Sequence, residues 1–383
     1  MEQKKIVLGL DWSNLMFRSL YINQIFGDKI NYDKIEDCRS FIYKMTGDIC
    51  SIINIFKPDN VVMLMDSKNV WRKKILEDYK ATREHSDTIN WNNIFQVVNE
   101  LKMIFKSMGV HIAESPNAEA DDMAALCKEV IWENFPNYNF IIVSADADLR
   151  QLLDWNPLTN QYCAVYNTIT KGKSGKRYFY MSPECSEWFE KHEDPMAVFF
   201  GDIDQNRVYL KNIFEQNSKI EKDIEDPDEI LIHKIFCGDD GDNIPAFYTW
   251  IANGKSQRIT PSKEKKICEK LNIKNVNDLL KAEGGLKPVF ETICKKDIND
   301  LDFSERLKTQ RTLVELKSEL FPDSIQLYKA DIFNMLQELN ARSIIFRAAN
   351  ILKGTQFEGY DQKKVLEANV FHNIDKYLNT TLF

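Results

Sequence analysis

The sequence predicts an α/β fold with a mostly parallel central sheet flanked by helices, followed by a helical C-terminal region. Short runs of β-branched and apolar residues at 6–10, 61–65 and 140–143 are typical of buried strands. Helix-length stretches separate these runs, and strands that alternate with helices form parallel sheets. From residue 260 onward, helix-like runs continue to residue 352.

Each of the three predicted strands is followed by an aspartate. Asp11 follows the first strand, Asp66 the second and Asp146 the third. One aspartate in this position more often caps the next helix than serves a site. Three of them at the carboxyl edge of one parallel sheet, where ligands bind in open α/β folds, favour a metal site.

A dense group of acids lies at a predicted helix start. Glu119, Asp121 and Asp122 follow a Ser-Pro-Asn segment that supplies stop and cap residues, and Asp148 follows the third strand. Crowded carboxylates raise one another's pKa unless cations are present. A solvated acidic face would explain this group taken alone, but the strand-end aspartates favour metal binding.

A second acidic group occupies a glycine-rich turn at 238–245. Its sequence, G-D-D-G-D-N-I-P, contains Asp239 and Asp242. An EF-hand loop would need further oxygen ligands and a glutamate at its twelfth position, and residues 244–246 are Ile, Pro and Ala. The turn is therefore not an EF-hand.

Basic residues interleaved with aromatic ones follow the second strand. Cations pair with phosphates and bases stack on aromatic rings, so this mixture is typical of a nucleic-acid contact, although a solvated helix face would look similar. Further basic residues lie in the predicted hairpin tip at 171–177 and in the helical region. The candidate nucleic-acid contacts are Arg72, Lys73, Lys74, Tyr79, Lys171, Lys173, Lys263, Lys265 and Lys266.

Composition indicates a soluble globular protein with room for a substantial core. The chain has 383 residues, 44% hydrophobic, and no apolar run near the roughly 20 residues that a membrane span needs. We therefore expect a cytoplasmic protein without membrane partners. Eight scattered cysteines include no C-x-x-C pair, which argues against a zinc site and a disulfide framework. The net charge of -8 is unusual for a nucleic-acid binder, but acids gathered around metals can hide a basic surface.

The order of six motifs resembles the 5′ nuclease family, which includes flap endonucleases and the 5′-3′ exonuclease domains of bacterial DNA polymerases. The matching segments are D-W-S-N-L at 11–15, M-D at 65–66, Y-K-A-T-R at 79–83, A-E-A-D-D at 118–122, S-A-D-A-D-L at 144–149 and G-D-D-G-D-N-I-P at 238–245. The segments W-R-K at 71–73 and T-P-S-K at 260–263 look like the phage replication nucleases of this family.

The resemblance implies a PIN-like nuclease core that holds two Mg²⁺ ions, for which Mn²⁺ would substitute. The first ion would be held by Asp11, Asp66, Glu119 and Asp121, and the second by Asp146, Asp148, Asp239 and Asp242, with Asp122 nearby. Lys80 and Arg83 would steady the scissile phosphate. Tyr79 could stack on a base or simply pack.

The resemblance also implies a domain organisation. Residues 1–183 would form the nuclease core with an arch-like segment at 84–109, residues 184–234 an acidic insertion, and residues 235–383 a duplex-binding helical region. That region would contain a helix-three-turn-helix-like unit, which in the family sometimes binds K⁺. Here the family's G-x-G-x-K is absent and Phe247, Tyr248 and Trp250 occur instead, which puts K⁺ binding in doubt.

The implied activity is that of a 5′ nuclease acting in DNA replication. Its substrates would be DNA and RNA-DNA hybrids with 5′ ends, flaps or nicks. A non-catalytic DNA-structure-binding module is the alternative. A sliding clamp or a single-strand-binding protein is a candidate partner, because the tail at 378–383 ends in Leu-Phe on a polar leader, although such a tail more often docks on its own domain.

Overall fold

A computed structural model describes residues 4–26, 32–83, 89–170, 175–191, 204–252, 254–338, 352–353 and 355–357. Within these ranges the centre of the molecule is an eight-stranded sheet. Its strands are β1 (Lys5–Asp11), β2 (Asn60–Leu64), β3 (His111–Ala113), β4 (Tyr138–Val143), β5 (Asp154–Asn156), β6 (Gln161–Tyr166), β7 (Arg177–Met181) and β8 (Ile220–Ile224).

The sheet is mostly parallel, as predicted. Its spatial order is β3-β2-β1-β4-β6-β7-β8, with β5 paired to β6. The pairs from β3 to β6 along this path are parallel, and so is β7 with β8. Only β5 and β7 run antiparallel to β6, so the predicted hairpin around 171–177 is present, although residues 171–174 lie outside the described part.

Helices cover both faces of the sheet. The helices of the N-terminal two thirds are α1 (Trp12–Phe26), α2 (Arg39–Phe56), α3 (Trp91–Ser107), α4 (Ala120–Asn134), α5 (Pro183–Glu190) and α6 (Gln205–Gln216). The next helix, α7 (Pro227–Cys237), packs instead in the core of the helical region. Alternate residues of β1 show the division between the faces. Leu8 packs in a core with α1, α2 and α3, and Val7 packs in a second core with α4.

A third core forms the helical region. It is built from the hairpin β9 (Thr249–Ala252) and β10 (Lys255–Arg258) and from α8 (Pro261–Leu271), α9 (Val276–Lys281), α10 (Glu283–Cys294) and α11 (Phe303–Val314). Phe247 packs its ring against Phe290 with the ring centroids 5.2 Å apart. Phe247, Tyr248 and Trp250, which replace the family's G-x-G-x-K, are buried in this core or its hairpin.

The chain passes between the helical region and the α/β core more than once. Helices α12 (Asp323–Gln326) and α13 (Lys329–Gln337) return to the α/β core, where Tyr138 and Asn60 donate hydrogen bonds to the carbonyl of Leu336. The described part of the region 235–383 therefore packs partly on the α/β core. The described part of the segment 184–234, predicted to be an acidic insertion, supplies β8 and most of α7. The charged strand β8 lies at the edge of the sheet, where such a strand is tolerated.

The described part of the arch-like segment is mainly helix α3. One face of α3 is buried against the core, including Ile94, Leu101 and Phe105, as its helical spacing indicates. Residues 84–88 of this segment lie outside the described ranges. None of the described helices has both the length and the apolar character required to cross a bilayer.

Candidate metal centre

The three strand-end aspartates lie at one edge of the sheet. Strand β1 lies between β2 and β4, and all three run in the same direction. Asp11 ends β1, and Asp66 and Asp146 lie in the loops that follow β2 and β4. Burial, together with the charges of Asp66 and Asp146, raises the pKa of Asp11 to about 7. The three side chains therefore share one electrostatic environment.

Hydrogen bonds fix the geometry of this edge. The Ser144 hydroxyl donates to Oδ2 of Asp11 at 2.7 Å, and the backbone N–H of Asn14 donates to Oδ1 at 3.0 Å. The side-chain oxygen of Asn14 accepts the N–H of Ala145 at 3.1 Å. The start of α1 is thus tied to the loop that carries Asp146.

The first turn of α4 brings further acids to the same edge. Its Ala120 N–H donates to Oδ1 of Asp66 at 2.9 Å, as expected where a helix N-terminus presents unpaired N–H groups. Burial, followed by the charge of Asp146, holds the pKa of Asp121 well above its usual range. Asp121 therefore faces the strand-end aspartates.

Glu119 and Asp122 are held by a buried arginine. One guanidinium nitrogen of Arg72, Nη1, lies 2.7 Å from Oε2 of Glu119 and 2.8 Å from Oδ1 of Asp122. Trp71 donates its indole N–H to Oδ2 of Asp122 at 2.9 Å. All three charged residues are at most 3% exposed. Asp122, which was expected near the second ion, is thus bound to donors of the protein itself. Arg72 was expected to contact nucleic acid, and it is instead enclosed by protein.

Tyr79 and Lys80 connect the α4 acids to the acidic turn of the helical region. The Tyr79 hydroxyl donates to Oε2 of Glu119 and to Oδ2 of Asp242, at 3.1 Å in each case. Lys80 pairs with the Glu119 carboxylate, and its Nζ is 3.6 Å from Oδ2 of Asp242. Burial opposes ionisation of Glu119, but the charges of Arg72 and Lys80 outweigh it and hold the Glu119 pKa below its usual range. Tyr79 is 3% exposed, and its ring packs in the core of the helical region.

Arg83 lies at the open side of this cluster. Its Nη2 is 2.5 Å from Oδ1 of Asp242, and its side chain is 55% exposed. Lys80 adopts a left-handed backbone conformation, with φ of 57°, and its N–H donates to the carbonyl of Asp242 at 3.0 Å. The Y-K-x-x-R segment is therefore attached to the acidic turn through both backbone and side chains.

The acidic turn depends on a glycine. Gly238 has φ of 75°, and a Cβ there would lie 2.3 Å from the carbonyl oxygen of Ile244. Asp239 pairs with Ile244 in a β-bridge, and its Oδ1 accepts the N–H of Gly241 at 2.8 Å. This tight turn presents Asp239 and Asp242 toward the α/β core.

Asp148, Asp239 and Asp242 form a group that could hold a metal ion. Each offers one carboxylate oxygen, and these oxygens lie within 4.8 Å of one another. Burial raises the pKa of Asp148 to about 6, and the charge of Asp146 adds to the rise. Oxygen donors at this spacing fit hard divalent cations such as Mg²⁺ or Mn²⁺, which would relieve the crowding of negative charge.

Lys234 is a member of the cluster that sequence reasoning missed. It lies near the end of α7 and pairs with both Asp148 and Asp239. Burial opposes ionisation of Asp239, but Lys234 outweighs it and holds the Asp239 pKa below its usual range. A lysine in the last helical turn before an acidic turn was the available signal.

The remaining predicted nucleic-acid contacts have different surroundings. Lys73, Lys74, Lys265 and Lys266 are exposed. Lys263 lies 4.9 Å from the ring centroid of Trp250. The two hairpin-tip lysines, Lys171 and Lys173, and the tail at 378–383 lie outside the described residues.

Comparison with solved structures identifies the class of fold. A bacteriophage T5 flap endonuclease, solved in a pseudo-enzyme-product complex with DNA and metal ions, superposes with a TM-score of 0.53 at 17% identity, covering 87% of this chain and all of that one. A T5 5′-exonuclease with bound zinc gives a TM-score of 0.52 at 17% identity, over 86% of this chain and 99% of the other. The fold is that of the 5′ nucleases.

Sequence comparison then gives a family match for the α/β core. Residues 6–179 match the family described as "5'-3' exonuclease, N-terminal resolvase-like domain". The 5′-3′ exonuclease of Mycoplasmopsis pulmonis is 28% identical over 239 residues, which are 62% of this chain and 60% of that protein. The flap endonuclease Xni of Serratia proteamaculans is 33% identical over 27% of this chain and 39% of its own length. The α/β core thus matches the family that the motifs predicted, and the alignments span less than two thirds of these relatives.

Proposed function

We propose that this protein is a structure-specific 5′ nuclease that hydrolyses phosphodiester bonds with the help of two divalent ions, Mg²⁺ in the cell. The observation that carries the proposal is the convergence of carboxylates from β1, β2, β4, α4 and the 238–245 turn on one edge of the sheet. These segments are distant in the sequence, and burying their like charges together is unfavourable unless cations bind.

Two groups of acids would hold the ions. Asp11, Asp66 and Asp121 are grouped by the sheet edge and the α4 terminus, and Glu119 supports them through its bonds to Tyr79 and Lys80. The second group is Asp148, Asp239 and Asp242, with Asp146 between the two groups. Divalent ions at these positions would activate water and neutralise charge on the phosphate being attacked.

Lys80 and Arg83 are the groups we assign to the scissile phosphate. Both cations lie beside the carboxylates: Arg83 is 55% exposed at the open side of the cluster, and Lys80 is 18% exposed and pairs with Glu119. Charge placed where negative charge develops stabilises the transition state more than the ground state. Tyr79 and Arg72 are positioning residues: Tyr79 holds Glu119 and Asp242, and Arg72 holds Glu119 and Asp122.

The substrate proposed is a 5′ end, flap or nick in DNA or in an RNA-DNA hybrid, as in removal of RNA primers or 5′ flaps during phage-type replication in the cytoplasm. The exposed lysines at positions 73, 74, 265 and 266 supply cations outside the carboxylate cluster for contact with phosphate backbone. A sliding clamp or a single-strand-binding protein remains a candidate partner through the tail at 378–383.

The alternative is a module that binds DNA structures without cutting them. Loss of the acids would be its signature, and all nine predicted acids are present in the sequence. A phosphohydrolase of small substrates would have no use for the exposed cations or the helical region. Substrate binding that weakens steeply with salt would separate a polyanion contact from a small phosphoester.

The deciding experiment uses 5′-labelled substrates with the full chain. A flap duplex and a nicked RNA-DNA hybrid are incubated with Mg²⁺, with Mn²⁺ and with EDTA, and the products are mapped at nucleotide resolution. We expect cleavage near the junction with either ion and none with EDTA. Tight binding of both substrates without cleavage under any ion condition would favour the binding module.

A further inference from the structure

A second group of metal-ligating side chains lies away from the carboxylate cluster, between α7 and α8. Nδ1 of His233 is 2.7 Å from Oε2 of Glu264, and the sulfur of Cys237 is 3.2 Å from the same oxygen. The three donor atoms lie within 4.8 Å of one another. His233 and Cys237 are four residues apart on α7, so they share one helix face.

We propose that His233, Cys237 and Glu264 form a separate divalent-metal site that takes a borderline ion such as Zn²⁺. One imidazole, one thiolate and one carboxylate are the three donor types that Zn²⁺ combines in proteins. With metal-ligand distances of about 2.0–2.3 Å, ligand atoms around a tetrahedral ion lie roughly 3.5 Å apart. The observed donors need only small side-chain movements to reach that spacing.

The surroundings allow an ion to enter. His233 and Glu264 line a cleft of about 1050 Å³, and Cys268, one helical turn after Glu264, lines the same cleft as a further sulfur donor. The neighbouring Lys234 cation is neutralised by Asp148 and Asp239, which reduces its repulsion of a metal ion. The site can therefore fill from solvent.

Its chemistry differs from that of the carboxylate cluster. Soft sulfur and imidazole donors favour Zn²⁺ or Co²⁺, whereas an all-oxygen site favours Mg²⁺ or Mn²⁺. The expectation from sequence that zinc is absent relied on the lack of a C-x-x-C pair. The pattern His-x₃-Cys on one helix, completed by Glu264 from the next, contains no such pair.

The site has a structural consequence for the cluster described above. Its two α7 ligands flank Lys234, which pairs with Asp148 and Asp239. An ion bound between α7 and α8 would cross-link these helices and restrict the part of α7 that carries Lys234. We expect Zn²⁺ binding to raise the melting temperature of the whole chain.

The test uses the full chain, stripped with EDTA and kept in excess Mg²⁺ so that the carboxylate cluster is occupied. Co²⁺ is added, and the near-ultraviolet charge-transfer band from thiolate to Co²⁺ is recorded. Carboxylates cannot produce this band. We expect one equivalent of Co²⁺ to produce it and Zn²⁺ to displace it.

Variants then locate the ligands. Cys237→Ser and His233→Ala are each expected to weaken Zn²⁺ binding at least tenfold in a chelator competition. Cys294→Ser, which changes a cysteine of α10, is the matched control and should bind as the unmodified chain does. Because the His233 side chain is 47% exposed, its replacement leaves the fold intact. Absence of the charge-transfer band, or equal Zn²⁺ affinity in all three variants, would overturn the proposal.

Discussion

The ammonium nitrogen of Lys234 lies 2.5 Å from Oδ1 of Asp148. This contact joins the helical region to the α/β core, because Lys234 is on α7 and Asp148 follows β4, and the same lysine also pairs with Asp239. One cation therefore neutralises two acids that we assign to a metal ion.

Replacing Lys234 by glutamine tests whether this lysine and a bound metal ion neutralise the same two carboxylates. Without divalent ions we expect Lys234→Gln to lower the free energy of unfolding by about 1–3 kcal/mol, since partly buried carboxylates lose their partner. In saturating Mg²⁺ the loss should shrink, because the ion neutralises the same oxygens. Urea unfolding with EDTA and with Mg²⁺ measures both values. Lys317→Gln, at an exposed position, is the control, and an equal loss in both conditions would contradict the shared-carboxylate view.

Gly238→Ala is expected to displace the acidic turn. A Cβ at this position would lie 2.3–2.7 Å from backbone atoms of residues 244–246. The positive φ of Gly238 would add backbone strain of about 1–2 kcal/mol for a residue with a side chain. We expect weaker Mg²⁺ binding by calorimetry and a strong loss of cleavage. Gly254→Ala separates the two causes, because Gly254 also has positive φ but has open space around its Cβ position. If both variants lose metal binding equally, the clash is not the cause.

Asp146→Ala should abolish cleavage while preserving DNA binding. Loss of a carboxylate between the two proposed ion sites is expected to lower kcat by at least about 100-fold, in line with the losses that follow removal of groups around a metal. Asp240→Ala is the matched control, since Asp240 lies in the acidic turn but is 74% exposed and pairs with Arg258. Flap cleavage and filter binding are measured in parallel. Cleavage that survives Asp146→Ala would refute the metal assignment.

Arg72→Gln tests whether this residue is structural. Because its guanidinium pairs with two buried carboxylates, we expect a loss of about 3–5 kcal/mol in the free energy of unfolding. The adjacent Lys73 is exposed, and Lys73→Gln should change stability by less than about 0.5 kcal/mol. A small stability change in Arg72→Gln, accompanied by weaker DNA binding, would instead restore the direct-contact role predicted from the sequence.

Asp48 gives a pH dependence that is independent of the metal centre. Lys44 Nζ lies 2.5 Å from its carboxylate and Arg18 Nη1 lies 3.2 Å from it, and these cations outweigh burial and hold the pKa of Asp48 below 3.8. A carboxylate whose pKa is lowered by folding stabilises the protein at pH values above its pKa in the unfolded chain. That stabilisation is lost as the pH falls through its pKa in the folded protein. Asp48→Asn should therefore be less stable than the unmodified chain at pH 7, and the difference should shrink below pH 3.8. Urea unfolding across this range, with the exposed Asp297→Asn as control, measures the difference; a gap that widens with acid would contradict it.

Much of the candidate site was predictable from local pattern. An apolar run ended by an aspartate places that carboxylate at the carboxyl edge of a parallel sheet, because successive strands of this type run in the same direction. Asp11, Asp66 and Asp146 follow this rule. The first turn of α4 could be anticipated from its stop and cap residues and the helix formers after them.

The environments of individual side chains were harder to predict from the sequence. Arg72 and Lys73 are adjacent cations in one basic run, yet one is 2% exposed and bound to Glu119 and Asp122 while the other is exposed to solvent. Tyr79 was equally compatible with stacking on a base and with packing. Its burial between Glu119 and Asp242 depends on the acidic turn, which lies more than 150 residues further along the chain.

The sequence by itself determined the mostly parallel sheet, the acids at its carboxyl edge and the resemblance to the 5′ nucleases, because periodicity and motif spacing are local properties of the chain. Only the tertiary structure decided which charges pair with which. Lys234 with Asp148 and Arg72 with Asp122 are contacts between distant segments that the packing of the helical region and α4 on the α/β core brings together. His233 with Glu264 is a contact between two helices within the helical region.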